Sequence, residues 1–284
     1  YVVSSSYVTP TYVDGLVDSR IGSTSSYDID ISGLSKQPGD IIILAYCVGS
    51  ASDRAPSLFA IDFTEITSVY ANGAQNETTL YVGYKISDGT ETSITISNTG
   101  SIYDGGSMVV KVWRGIDTEN PIDVTVTTSV NTSNQNPNPP AITPSTENAI
   151  IVVAGGSGHD LGSAVTYTAS GLTDFSSVSS GDTRDSTAGL GAYYDWVSGS
   201  YDPAAWTLTT DSGSSSVAAT IALRPATEAV YGNYKNSGIW NLEAVYSAIS
   251  ETLTDVDVVF NGFLLSSTTI SDYIDMGTPE EGDI

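Results

Sequence analysis

Two short apolar runs constrain this chain more than anything else in it. Residues Ile41 to Val48 are almost wholly apolar and follow a Pro38-Gly39-Asp40 turn; residues Ala149 to Ala154 repeat the pattern after Asn148. Neither is long enough to span a bilayer as a helix. Their length and β-branched content predict strands buried on both faces. Each run opens a similar series. The stretch 190–197 answers 80–86, 206–209 answers 93–97, and 216–224 answers 107–114, down to a terminal arginine before a turn. The offset of about 110 residues is that of a duplicated β-unit.

The series predicts an all-β protein. With 284 residues the chain can build one large β-domain with an appendage, or two small domains. Two arrangements fit the halves 23–130 and 147–226. They form two tandem sandwiches, or they join into one jelly-roll-like β-sandwich. Only 15% of residues are charged, so Ser, Thr, Asn and Gly must supply the polar surface. The net charge of −24 excludes tracking of a phosphate backbone and opposes docking on anionic membrane. The single cysteine, Cys47, excludes a disulfide within the chain and reads as a small buried hydrophobe.

Residues 1–22 read as an N-terminal arm or a weak edge strand. Tyr27 to Ile31 alternates as a half-buried strand does, one more strand is expected at 63–70, and 79–97 reads as a hairpin around Asp88-Gly89. Four prolines between 131 and 146 exclude a central strand, so that segment reads as a connector or a long sandwich crossing. From 227 to 284 the character changes. Ile239, Leu242, Val245, Tyr246 and Ile249 fall on one face of a predicted helix. Val256–Phe260 and Phe263–Leu265 flank Asn261-Gly262, the signal of a tight hairpin. Nine acids and no bases follow Lys235. A lone helix and hairpin cannot bury themselves. This appendage is therefore expected to dock on a partner through Ile239, Trp240, Leu242, Tyr246, Phe260 and Phe263.

The residues show no catalytic set. His159 is the only histidine, no serine sits in a Gly-x-Ser-x-Gly elbow, and one histidine with one cysteine excludes an ordinary zinc site. Asp195 beside Trp196 and Asp174 beside Phe175 read as solvated acids rather than a glycosidase pair. The turns Asp255-Val256-Asp257 and Asp182-Thr183-Arg184-Asp185 offer oxygen ligands for Ca²⁺ without following the spacing of a calcium loop. Tyr193, Tyr194, Trp196, Tyr201 and Trp206 cluster in the second half. Such aromatics stack on sugars when exposed and fill cores and interfaces when not.

The stretch Ser237 to Tyr246, with its Gly238-Ile239-Trp240-Asn241-Leu242 core, resembles an element near the C-termini of tailed-phage tail and fibre proteins. The Trp113-Arg114-Gly115-Ile116-Asp117 turn, Pro121-Ile122-Asp123 after it and Ile221 to Pro225 are similar to the same group. The resemblance implies a virion surface protein with a β-sandwich body, whether head decoration, head fibre or tail component. It carries over no catalytic residue. The partners it implies are other virion proteins and further copies of the chain, trimers being the common geometry of phage spikes and fibres. A glycan-binding module, either a receptor-binding tip or a secreted adhesin, is the alternative.

Overall fold

The computed structural model describes residues 5–20, 26–49, 63–72, 77–97, 106–159, 165–181, 185–208, 215–229, 258–260 and 263–265. The chain divides into two compact units, Tyr1–Tyr231 and Gly232–Ile284. Every described strand in the first is paired antiparallel.

The first half supplies strands β1 (Ser5–Tyr7), β2 (Thr11–Arg20), β3 (Ser26–Asp30), β4 (Ile41–Gly49), β5 (Thr64–Ala71), β6 (Thr78–Ile86), β7 (Ser93–Ser97) and β8 (Gly106–Arg114). The second supplies β9 (Thr127–Asn131), β10 (Ile150–His159), β11 (Tyr167–Thr168), β12 (Thr173–Ser179), β13 (Asp185–Tyr193), β14 (Thr207–Leu208), β15 (Ser216–Leu223) and β16 (Thr227–Ala229). One five-stranded sheet has the order β2-β8-β4-β6-β5, the other β12-β13-β10-β15-β9. The predicted central runs are central strands: β4 lies between β6 and β8, and β10 between β13 and β15.

The two halves make one sandwich, not two in tandem. Each contributes a complete sheet, and the chain passes from one sheet to the other at 115–126. Ile41, Ile43, Ala45, Val109 and Trp113 of the first sheet share a buried core with Ile150, Val152, Ala154, Ala219 and Ile221 of the second. The facing pattern is two-fold symmetric. β8 packs on β12 and β13 as β15 packs on β5 and β6, and β2 meets β12 as β9 meets β5. The duplication is therefore topological as well as periodic.

Both outer faces are covered, which is why β4 and β10 are apolar on both sides. Ile42, Leu44, Met108 and Val110 pack against Ile29, Ile31, Ile94 and Ile96 of the β3–β7 pair. On the other side Ile151, Val153 and Ala222 pack against Val165, Tyr167, Trp206 and Ile142.

Residues 11–20 take the second of their two expected forms, an edge strand rather than an arm: they form β2 along β8. Two segments differ from the reading of the sequence. Residues 79–97 are no hairpin: β6 pairs with β4 and β5, while β7 crosses to the cover and pairs with β3. Residues 131–146 do not carry the chain between the sheets. They lie extended over the second sheet, with Gln135, Pro137, Pro139, Ile142 and Pro144 buried. Proline cannot donate to a ladder, so acceptors do much of the binding: Trp206 N donates to Pro137 O (2.9 Å) and Leu208 N to Asn136 Oδ1 (2.8 Å), while Ile142 and Tyr201 exchange a reciprocal backbone pair (both 2.9 Å).

The end of the sandwich where β4 and β10 begin is closed by matched ion pairs. Arg114, last in β8, makes a bidentate pair with buried Asp40 (both 2.8 Å). Arg224, just past β15, pairs with buried Asp123 (3.4 Å). Asp123 also accepts from the amides and hydroxyls of Ser145 and Thr146. Burial alone would push its carboxyl up, but these bonds outweigh burial and hold it below the usual range. Ile116 bridges Pro225, Ile122 bridges Leu223, and β1 pairs with β16, so both ends of this unit meet here.

In the second unit, β17 (Val258–Phe260) and β18 (Phe263–Leu265) pair antiparallel with Phe260 opposite Phe263. That is the hairpin expected around Asn261-Gly262. The predicted helix lies outside the described residues.

Candidate functional site

The most unusual chemistry among the described residues sits on the seam where β2 and β8 meet β12 and β13. Lys111 points inward from β8 and is 1% exposed. In the second sheet the position 110 residues later is Ile221, an ordinary core residue. The Lys111 ammonium lies 5.0 Å from the centre of the Tyr12 ring and donates to Ser176 Oγ (3.1 Å). Burial lowers its pKa to about 8, against a partial pull upward from Asp174.

A hydrogen-bond chain runs beside it. Trp113 Nε1 donates to Tyr194 Oη (2.9 Å), which donates to Asp174 Oδ2 (2.8 Å). Tyr12 meets Trp113 edge to face. Burial first, and then the Asp174 carboxylate, raises the Tyr194 hydroxyl well above its ordinary value. Asp174 occupies a left-handed conformation (φ 50°) at a bulge in β12, and β2 is bulged between Tyr12 and Asp14. Strain, bulges and a perturbed amine in one place mark functional sites in general. Here the amine is closed from solvent. In this conformation the seam is a polar lock between the sheets, with Lys111 enclosed among the described residues.

The five aromatics singled out in the sequence do not form one platform. Trp206 is 1% exposed, lying between Phe175 (5.0 Å) and Tyr167 (5.4 Å) over Gly155 and Gly189. It has no face left for a sugar. Tyr194 turns inward to the seam. Tyr193 and Tyr201 stack on each other at 4.1 Å, beside half-buried Trp196, whose indole donates to Gly199 O (3.0 Å). This remaining trio lies at the end of the body that carries the paired strands β1 and β16.

Of the expected interface residues, Phe260 and Phe263 are backbone partners in the hairpin. Ile239, Trp240, Leu242 and Tyr246 lie outside the described residues. So do Asp182, Asp255 and Asp257 of the two calcium-like turns; among the described residues no three His, Cys, Asp or Glu side chains gather as metal ligands. Cys47 is buried, with burial holding its thiol far above its ordinary value.

Sequence reasoning missed the lysine. In Met108-Val109-Val110-Lys111-Val112-Trp113 it resembles the polar member of an alternating strand. The available signal was that Trp113 and Val109, two residues to either side, are apolar on the same face.

No family model, no curated protein and no solved structure matches this chain.

Proposed function

We propose that this chain is a non-enzymatic structural protein of a phage virion surface, a head decoration, head fibre or tail component that acts by self-association and docking. One observation carries the reading. The chain ends in a separate unit whose described part is a two-stranded hairpin of apolar sequence, Val258–Phe260 with Phe263–Leu265. A two-stranded hairpin alone is marginal in water, and in this reading the surface that covers it belongs to a partner. The Gly238-Ile239-Trp240-Asn241-Leu242 element upstream, with its resemblance to tailed-phage proteins, supports the same role. The energy comes from apolar area removed from water, at about 25 cal/mol per Å².

The test is the mass of the full chain in solution by light scattering, beside Trp240→Ala and Phe263→Ala. Wild type is expected as an oligomer and both variants as smaller species. A monomeric wild type, or unchanged variants, removes the reading. Glycan binding through Tyr193, Trp196 and Tyr201 is the second reading, favoured only by their partial exposure. It predicts a saturable fluorescence change on sugar titration that Trp196→Ala abolishes.

A further inference from the structure

The four edges of the two main sheets are not alike. β2, β5 and β12 each carry a bulge, and each has an acid at it: Asp14, Glu65 and Asp174. Bulges and charges are the devices that stop a sheet edge from pairing with another chain. The fourth edge, β9, has neither. Its pairing with β15 runs in register from Thr127 to Asn131, and among the described residues no strand pairs with its other side. Thr128 is exposed and Val130 is 52% exposed.

β9 also opens the longest uncharged run of the sequence, Val124 to Thr146. That identifies the occupant. Copies of a chain with net charge −24 repel one another over most of their surface. They approach closely where charge is absent, and a two-fold pairing places each strand on its own twin. We infer that β9 is a self-docking edge: β9 of one copy pairs antiparallel with β9 of a second, extending one five-stranded sheet into a ten-stranded one.

The inference rests on the self-association proposed above and names a second surface for it. A five-residue pair buries less than a standard stable interface, so β9 acts together with the C-terminal unit rather than alone. The test is sedentation of the full chain by analytical ultracentrifugation over a concentration series, with Val130→Lys and Val17→Lys. Val17 is 45% exposed on the bulged edge β2 and controls for the added charge. A positive charge eases general repulsion, so association weakened by Val130→Lys and not by Val17→Lys reports on the β9 edge. Val130→Lys is expected to weaken association by about tenfold or more, and Val17→Lys not at all. In wild type, amide exchange of 127–131 is expected to slow as concentration rises. Equal effects of both lysines, or unprotected amides in the oligomer, overturn the inference. If Val130→Lys changes nothing while Phe263→Ala lowers the mass, β9 is not used and the self-association reading stands. A wild type that stays monomeric removes both.

Discussion

Replacing Lys111 with methionine should make the protein more stable, and the gain should disappear in alkali. The lysine is 1% exposed, and among the described residues no carboxylate forms an ion pair with it. Its pKa falls from 10.5 to about 8. That drop corresponds to about 3 kcal/mol, the cost of keeping the buried amine protonated at neutral pH. Two contacts offset part of it: the Tyr12 ring is worth about 1 kcal/mol and the Ser176 hydrogen bond about 1. Methionine keeps the volume and pays no desolvation, so Lys111→Met should gain about 1–2 kcal/mol at pH 7. The sign with pH follows from the lowered value. The native state releases the proton near pH 8 while the unfolded chain holds it to about 10.5. Wild type therefore gains stability between those limits and not below them. Urea denaturation of both proteins from pH 6.5 to 10.5 isolates the effect, because the tyrosines titrate in both. A variant less stable at pH 7, or a difference that stays constant with pH, would refute the reasoning.

Other outcomes follow from the same geometry. Asp123→Ala strips Arg224, Ser145 and Thr146 of their shared partner and should cost about 3 kcal/mol in urea denaturation. Because the Asp123 carboxyl is held below its ordinary value, its stabilisation is present above about pH 4 and lost as pH falls further; acid titration should show a smaller loss in the variant than in wild type. Gly189→Ala sets a methyl 2.7 Å from the Trp206 ring, with Phe175 behind it, and should cost about 1–3 kcal/mol with a changed near-ultraviolet dichroism. Tyr194→Phe leaves the buried Trp113 indole without its acceptor and should cost about 1–2 kcal/mol by thermal unfolding.

The central strands were legible because nothing but burial on both faces explains Ile41 to Val48 or Ile150 to Ala154. Partners were less so. Ser93 to Ser97 alternates as any strand beside 80–86 would, and alternation does not say which neighbour it takes; β7 leaves the sheet because the outer face of β4 needs a cover. The edge strand β2 mixes Val13, Leu16 and Val17 with Asp14, Gly15 and Asp18, since an edge is never fully buried. Four prolines in 131–146 rightly excluded a central strand, but an extended chain can still lie over a sheet, held by scattered acceptors and the single Ile142–Tyr201 backbone pair. The seam was invisible for a different reason. Trp113 and Tyr194 are 81 residues apart, and only the facing of the two sheets brings them together. The one legible hint, Asp174 beside Phe175, read as an ordinary loop acid.

The pairing of β1 with β16 sets how the body responds to force. Ser5 lies opposite Ala229 at the outer end of the ladder, and Tyr7 opposite Thr227 at the inner. Tension between the two ends of this unit therefore loads the ladder as a zipper, one bond at a time, rather than in shear. Three residue pairs part first, then the Val8–Ala226 bond, before tension reaches the Arg224–Asp123 closure. A body pulled from both ends can yield over that short length and close again before the load reaches its core strands.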